Sequence, residues 1–355
     1  MIISIITQME AAGAQGAMIR LHKRFMLDGF DSKAVFLYKK RDVYSNIPNV
    51  VCMLDHQPKG IFDYIKIFFR LFQFISKNKG AKLVCFTHYA NIIGGVIGRL
   101  AGASKIVISH RNPVESYPRA ARFFDKVIGY LGLYNEMICV SQAVVDSFSN
   151  YPQRYRKKLN LVLNGIDTPT GYSAKEFEWI KKPDKVTLVT TGRLHPQKNQ
   201  KILIDAIKDF PNLSLYIAGD GELREEFEGY IRDMKLGGQV ALLGELPPDK
   251  VYSFLSNGDV FVFPSSWEAF GFSVVEAMAI GLPVIASDIP AMKEIVGESG
   301  ILIGNNNIDN WRLVFSDLSE GNFNLKKYSN YSLEKAKRYS LDVMYKQYKD
   351  LISGE

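Results

Sequence analysis

Short runs of β-branched and other apolar residues alternate with longer stretches of helical periodicity along the whole chain. This alternation predicts βαβ units, and hence parallel sheets that bind ligands at the carboxyl ends of their strands. Ten segments have the composition of strands, namely residues 2–6, 34–38, 83–86, 106–109, 137–140, 186–190, 213–218, 240–243, 260–262 and 284–286. Ten strands are too many for one modest domain, so the pattern predicts an α/β protein of two domains.

The length of 355 residues also suits two domains with a core each. Prolines and a cluster of basic residues mark a break between residues 151 and 184. We therefore predict a first domain over residues 1–165 and a second over 166–334. Apolar residues recur at three and four positions in the last segment, which predicts an amphipathic helix at about 335–355.

The composition is that of an ordinary globular protein, with 47% apolar and 23% charged residues. No run of about 18 uncharged apolar residues occurs, and residues 1–7 lack the charged start of a signal peptide. Cys52, Cys85 and Cys139 have neither the spacing of a zinc site nor that of a disulfide framework. These features predict a cytoplasmic location.

The charge is distributed unevenly between the two predicted domains. Residues 1–165 contain 23 Lys and Arg against 10 Asp and Glu, whereas the remaining residues contain 21 against 27. Such asymmetry indicates an anionic partner for the first domain: a membrane surface, a nucleic acid or an acidic substrate. No recognised nucleic-acid-binding motif occurs, so we predict no nucleic-acid partner.

Residues 60–79 combine a polar stripe with a broad apolar face. The stripe consists of Asp63, Lys66, Arg70, Gln73 and Lys77. A helix that lies on a membrane surface has this pattern, and so does a helix buried in the first domain. The basic excess of the first domain favours the first interpretation, a peripheral protein at the inner face of the cell membrane that contacts anionic lipid.

Two glutamates, Glu268 and Glu276, stand eight positions apart around a Phe-Gly-Phe sequence. If a helix begins near residue 273, the N–H groups of Phe270, Gly271 and Phe272 lie at its positive end, where an anion binds. Glu268 then precedes the helix and Glu276 lies about one turn inside it. This arrangement suits a nucleotide diphosphate that carries a hydroxyl-rich group at each end. A buried strand–loop–helix unit whose glutamates only cap and solvate it is the alternative.

A second constellation follows the predicted strand at residues 186–190. Arg193 and Lys198 stand five positions apart after Gly192, just before a helical pattern. Arginine offers a planar fork and lysine a point charge, so the two suit one diphosphate. The alternative is a pair of solvated surface side chains.

The first domain has three weaker signals at predicted strand ends. Gly13 and Gln15 lie in a small-residue loop that opens a helix, and such a loop lets a backbone approach a phosphate. Their spacing is not Gly-x-Gly-x-x-Gly, so a nicotinamide-dependent oxidoreductase is not supported. His88 and His110 end two other strands, and Arg111 follows directly. Structural turns and structural histidines are the alternatives at these positions.

The two-glutamate motif and the Gly281-Leu282-Pro283 sequence after it resemble those of the retaining family-4 glycosyltransferases. The resemblance extends along most of the chain and is strongest over residues 190–296. It implies the GT-B fold: two Rossmann-like domains whose parallel sheets face a central cleft, with a C-terminal helix that crosses back to the first domain.

The resemblance also implies a role for each candidate residue. Glu268 contacts the donor sugar and Glu276 the ribose, and the Phe270–Phe272 amides contact sugar and diphosphate. Arg193 and Lys198 hold the donor phosphates. The further implied positions are Gly13, Gln15, Gly219 and Leu246 on the nucleotide side, and His110, His88 and Arg111 toward the reacting sugar and the acceptor.

By the same resemblance, the protein is a hexosyltransferase that keeps the anomeric configuration. It moves a sugar from a nucleotide-sugar, UDP-sugar favoured over GDP-sugar, to a hydroxyl of a lipid-linked, phosphate-bearing or polysaccharide acceptor of bacterial surface-polysaccharide synthesis. The sequence contains no Asp-x-Asp, so no divalent metal is expected, and no cofactor, because the nucleotide-sugar is a substrate. The alternatives are a GT-B nucleotide-sugar epimerase, a glycosidic phosphorylase, or a noncatalytic membrane-associated scaffold that binds nucleotide.

Overall fold

The computed structural model describes residues 1–167, 169–171, 174–182, 184–304 and 307–354. The chain divides into two compact units, Met1–Asp167 with Leu341–Glu355 and Thr168–Ser340. None of the described helices is long and apolar enough to cross a membrane.

The first unit is built on a sheet of seven parallel strands in the order β3-β2-β1-β4-β5-β6-β7. The strands are β1 Ile2–Met9, β2 Ser32–Lys39, β3 Val50–Cys52, β4 Lys82–Phe86, β5 Lys105–His110, β6 Glu136–Cys139 and β7 Leu159–Leu161. The helices are α1 Gly13–Leu27, α2 Ile61–Lys77, α3 His88–Leu100, α4 Arg119–Tyr130, α5 Gln142–Ser147 and α6 Gln153–Arg156, with the C-terminal helix Leu341–Ser353.

Both faces of this sheet are covered, as near-continuous apolar strands require. The helices α2, α3 and α4 contribute to the core on one face. On the other face, α1 packs with the C-terminal helix. Tyr345 of that helix meets the ring of Phe25 at 5.1 Å, and Tyr348 stacks on Phe86 at 6.1 Å.

The second unit is built on six parallel strands in the order β10-β9-β8-β11-β12-β13, the order of a Rossmann sheet. The strands are β8 Val186–Thr191, β9 Leu213–Ala218, β10 Val240–Gly244, β11 Val260–Phe263, β12 Val284–Ser287 and β13 Ile301–Ile303. The helices are α7 Lys201–Ile207, α8 Arg224–Asp233, α9 Val251–Leu255, α10 Phe272–Ala279, α11 Pro290–Ile295, α12 Ile308–Ser319 and α13 Leu325–Ala336. We number the C-terminal helix, Leu341–Ser353, α14.

All ten predicted strands are present, and the predicted parallel α/β architecture is confirmed. The last helix begins at Leu341 rather than at about 335. Residues before it belong to the second unit, where the buried ring of Tyr339 lies 5.7 Å from the ring of Phe270 and fixes a short 3-10 turn, Lys337–Tyr339.

Candidate functional site

The charged candidate residues of the second unit follow strands β8 and β11, which are neighbours in its sheet. The strand order reverses between these two strands, and ligands of open α/β sheets bind at the carboxyl ends of strands at such a reversal. A backbone hydrogen bond ties the two loops together, because Ser266 N–H donates to Gln197 O at 2.8 Å. The side-chain amide of Gln197 also donates to Trp267 O at 2.9 Å.

Lys198 and Glu268 form an ion pair where these two loops meet. The side chains are 20% and 12% exposed, so the pair is mostly withdrawn from water. Gln197 Nε2 and Ser265 Oγ donate to the same Glu268 oxygen, each at 3.4 Å. The ammonium of Lys198 also lies 5.2 Å from the Phe263 ring centroid, a cation–π distance. One carboxylate oxygen is thus held by three donors, which orients the other.

A left-handed glycine opens the helix that follows. Gly271 is the N-cap of α10, at φ +96° and ψ +62°. A Cβ on it would lie 2.7 Å from Met292 Cε, the end of a flexible side chain that can shift, so the backbone angle rather than the space favours glycine. Phe270 is buried, and its ring meets that of Phe272 at 5.0 Å. The rings therefore anchor the loop, while the first N–H groups of α10 point out of its N-terminus.

Glu276 lies in the second turn of α10 and is half-buried. Arg193 is exposed in the loop after β8, and within the described residues its guanidinium forms no salt bridge. These two residues flank the Lys198–Glu268 pair in sequence and follow the same two strands. The predicted helix start at residue 273 differs from the observed start by one residue.

Glycines bring the ends of three strands into close contact. Gly219, after β9 at φ +150°, donates its N–H to Gly244 O at 2.7 Å. A Cβ on Gly219 would lie 2.0 Å from Gly192 O, so no other residue fits without movement of the backbone. Leu246 is half-buried in the loop after β10. His195 caps the turn Pro196–Lys198 by accepting from Gln197 N–H at 3.1 Å, which is a structural role.

In the first unit, the strand order reverses between β1 and β4. Thr7 and Thr87, at the ends of these strands, share a hydroxyl–hydroxyl hydrogen bond of 2.8 Å. Thr87 has φ +77°, a strained conformation for a β-branched residue that costs about 1–3 kcal/mol. His88 follows as the first residue of α3, with its ring stacked on Tyr117 at 4.8 Å. Its Nε2 is buried and has no hydrogen-bond partner among the described residues, and burial lowers its pKa.

His110, which was expected toward the reacting sugar, is fully buried at the end of β5. Tyr117 OH lies 3.1 Å from Nδ1 and Tyr155 OH lies 2.9 Å from Nε2, so both ring nitrogens are engaged. Burial, and to a lesser degree the charge of His88, lowers the pKa of His110 to about 3. In this structure His110 is therefore a neutral part of the core.

The same core network contains a buried carboxyl group. Asp125 of α4 accepts from Tyr155 OH at 2.6 Å and from Tyr134 OH at 3.3 Å. Burial raises its pKa to about 7, against the smaller opposite effect of the two tyrosine hydrogen bonds. Sequence reasoning missed this network because its members, His110, Tyr117, Asp125, Tyr134 and Tyr155, stand on five separate segments of the chain.

The small-residue loop before α1 also differs from expectation in part. Gly13 is the exposed first residue of the helix. Ala12 before it adopts an ordinary extended conformation, so the position of Ala12 does not require a glycine. Gln15 is buried, and its side-chain amide donates to Gln8 O at 3.1 Å. Gln15 thus braces the end of β1 and does not face solvent.

Arg111 is buried beside His110. Its guanidinium lies 4.9 Å from the Phe86 ring centroid and donates to Asn164 Oδ1. Nε and Nη2 have no hydrogen-bond partner among the described residues. Burial is the main cause that lowers the pKa of Arg111, and the charge of Arg20 acts in the same direction.

Sequence reasoning missed a polar group at the carboxyl ends of β1 and β2. Tyr38 OH donates to Gln8 Oε1 at 2.6 Å, and Gln8 Nε2 in turn donates to Glu10 Oε1. Lys40 binds the other oxygen of Glu10 at 2.9 Å. A carboxylate directly after the first strand was the available signal. Within the described part of the chain, no group of three or more His, Cys, Asp or Glu residues could hold a metal ion.

Two parallel sheets with flanking helices, each with its candidate residues at strand ends, define the GT-B class. Solved structures confirm this fold. HepE of Anabaena, in complex with UDP and glucose, matches with a TM-score of 0.84 at 20% identity and covers 100% of both chains. The lipopolysaccharide glycosyltransferase WaaG matches with a TM-score of 0.76 at 14% identity over 100% of both chains.

The family model described as glycosyl transferases group 1 matches residues 172–338. The second unit is therefore similar to the group 1 glycosyltransferases. It is 31% identical over 175 residues to an uncharacterized glycosyltransferase of Methanocaldococcus jannaschii, covering 49% of this chain and 46% of that protein. It is 29% identical over 278 residues to the Escherichia coli UDP-Gal:alpha-D-GlcNAc-diphosphoundecaprenol alpha-1,3-galactosyltransferase, covering 70% of this chain and 68% of that protein. The chain spans about half the length of the first curated relatives, 46% and 50%.

Proposed function

We propose that this protein is a retaining, metal-independent glycosyltransferase that moves a sugar from a nucleotide-sugar to an acceptor hydroxyl. The observation that carries the proposal is the Lys198–Glu268 pair at the reversal point of the second sheet, next to the glycine-capped start of α10. A cation, a held carboxylate and a helix N-terminus stand where a parallel sheet binds ligands.

The chemical problem is to stabilise a departing diphosphate. When the bond between the anomeric carbon and the diphosphate breaks, negative charge grows on the phosphate oxygens. Lys198, Arg193 and the N–H groups at the start of α10 supply positive charge and dipoles for it, held in place before the reaction begins. The acceptor hydroxyl adds to the anomeric carbon on the face that the diphosphate leaves, and its proton passes to a phosphate oxygen. No metal is needed for this step.

The two glutamates take different parts of the donor. Glu268, with one oxygen fixed by three donors, directs the other oxygen to the hydroxyls of the transferred sugar. Glu276, in the second turn of α10, accepts from the ribose hydroxyls. Gly219 and Leu246 border the nucleoside, where a backbone without a side chain and an apolar surface suit a base.

A UDP-sugar is the donor we favour. HepE was solved with UDP and with glucose, and the name of the E. coli relative specifies UDP-Gal. The same name specifies a diphosphoundecaprenol acceptor, which supports a lipid-linked acceptor here. In our proposal, His88 and Arg111 of the first unit contact this acceptor. Each lies at a strand end and has a buried nitrogen without a hydrogen-bond partner among the described residues.

Contact with an anionic membrane suits such an acceptor. The helix α2 buries only the stripe Ile67, Leu71 and Ile75 against the core. Phe62, by contrast, is 75% exposed, and Ile65 and Phe69 are also exposed. The helix therefore packs and presents an apolar face at once. We propose a peripheral location at the inner face of a bacterial membrane, in the synthesis of a surface polysaccharide.

Incubation with UDP-sugars and GDP-sugars, with and without lipid-linked sugars, tests the proposal. We expect release of UDP that depends on the acceptor, and a product whose anomeric configuration, read by NMR, equals that of the donor. Inversion of configuration would refute the retaining mechanism. Acceptor-independent conversion of the donor would identify an epimerase, dependence on inorganic phosphate a phosphorylase, and no turnover with intact UDP binding a scaffold.

A further inference from the structure

A second surface of the first unit, on α4 (Arg119–Tyr130) and the residue after it, exposes large apolar side chains. Phe123 is 63% exposed and Leu131 61%. Phe124, Val127 and Tyr130 are exposed as well. Globular proteins rarely leave so many large apolar side chains together in water unless the surface binds something.

The exposure does not come from a loosely attached helix. The inward face of α4 carries Ala121, Asp125, Ile128 and Gly129, all buried. Two tyrosine hydroxyls bind the Asp125 carboxyl group, and α4 packs against α3. The helix is thus fixed by its inner face, and the apolar outer face is built into the fold.

The charged side chains that α4 itself holds outside the core are all cations. Arg119, Arg122 and Lys126 are the charged residues of α4 apart from Asp125, which is turned into the core. Arg154 adds a further cation, 5.9 Å from the Tyr130 ring centroid. The outward side of α4 therefore combines apolar rings with cations and presents no carboxylate of its own helix.

The helices α4 and α2 lie on the same side of the first unit, with α3 between them. Both helices pack on α3, and all three cover the same face of the sheet. Packed helix axes stand about 8–10 Å apart, so α2 and α4 are separated by roughly 20 Å. Leu100, at the end of α3, is also exposed. The outward sides of α2 and α4 therefore both expose apolar side chains on this face of the first unit.

We propose that the outer face of α4 is a second docking surface for an anionic lipid bilayer, alongside α2. Apolar rings beside cations match the acyl boundary and the acidic headgroups of such a bilayer. A second copy of this chain is a poorer occupant, because two such basic faces repel each other. Two contacts about 20 Å apart fix the orientation of the first unit on the membrane, which a single helix leaves free to rotate.

The test uses flotation of the full chain with phosphatidylcholine vesicles that contain, or lack, phosphatidylglycerol. The variant is Phe123→Ser with Phe124→Ser. The control is Leu27→Ser, which removes a 79% exposed side chain from α1 on the opposite face of the sheet. We expect the α4 variant to lower the partition coefficient on anionic vesicles about tenfold or more, from the apolar area it withdraws, and the control to leave it unchanged.

A second single variant, Leu131→Ser, keeps the proposal testable if the double variant does not fold. Binding of both variants at the wild-type level would overturn the proposal, as would Phe123-dependent dimers in light scattering without vesicle binding. UDP affinity is measured in parallel and is expected to stay at the wild-type level, because every donor residue proposed in the second unit is unchanged. Loss of vesicle binding and failure of the donor site are therefore separate results, and Phe62→Ser tests α2 independently.

Discussion

Replacing Lys198 with methionine removes one positive charge and keeps a side chain of similar length. In the free protein the ammonium of Lys198 pairs with Glu268, and both side chains are largely withdrawn from water. In our account the same ammonium binds the donor diphosphate. A hydrogen bond to a charged group contributes about 1.5–3 kcal/mol, so we expect the Kd for UDP to rise about 10- to 150-fold.

Stability and affinity should respond differently to a second change. Lys198→Met leaves the Glu268 carboxylate with Gln197 and Ser265 as donors, at an expected loss of about 1–2 kcal/mol in the free energy of unfolding. Glu268→Gln in the same chain removes the unpaired charge and should restore most of that stability, but not UDP affinity. Glu268→Gln alone should bind UDP at least as well as the wild type and lower turnover by about 100-fold or more.

Calorimetric titration with UDP and urea denaturation of the four proteins measure these effects. The wild-type Kd for UDP must first be resolved by the titration. If Lys198→Met then binds UDP with the same Kd, Lys198 does not touch the diphosphate. If the double variant regains UDP affinity, the pair acts through stability alone. Either result would refute the assignment.

Three further predictions follow from the same geometry. Gly271→Ala forces a left-handed backbone that costs about 1–2 kcal/mol and places a methyl group against Met292, so both the Tm and the affinity for UDP should fall; an unchanged Kd would contradict the role of α10. Removal of divalent metal with EDTA should leave turnover unchanged. A loss of turnover that Mg²⁺ restores would contradict the metal-independent mechanism. Between about pH 4 and 6 the folded chain keeps a proton on Asp125, whose pKa is raised to about 7, so Asp125 makes stability fall as pH rises. His110, whose pKa is lowered to about 3, is already deprotonated in the folded chain, so it makes stability rise with pH. Asp125→Asn removes the Asp125 titration, so the free energy of unfolding of this variant should climb more steeply with pH than that of the wild type, by up to about 1.4 kcal/mol per pH unit. Equal slopes of the two proteins in urea denaturation would disprove this prediction.

The fold followed from the sequence because parallel strands buried on both faces are continuous apolar runs. Strands β3, β7 and β13 escaped prediction for a physical reason. Each has only three residues, which is too short a run to show strand periodicity, and each lies at the edge of its sheet, where it pairs with one neighbour only.

The positions of the charged second-unit candidates were predictable because these residues fall in two short segments, and each segment follows a strand of the sheet. In the first unit, proximity to a strand end did not determine which way a side chain points. His110 turns into a cluster made by Tyr117, Phe148 and Tyr155, which come from separate segments. The strain at Thr87 depends equally on backbone angles that no local pattern encodes.

The central claim is that the second unit binds a nucleoside diphosphate through Lys198 and its neighbours. Thermal unfolding of the wild type and of Lys198→Met with UDP, GDP, ADP, CDP and dTDP tests it most directly. Ligand at about 100 times its Kd stabilises a protein by about 2.7 kcal/mol, so we expect one diphosphate, UDP, to raise the wild-type Tm by several degrees and the variant Tm by much less. If no nucleoside diphosphate shifts the wild-type Tm, the account is wrong.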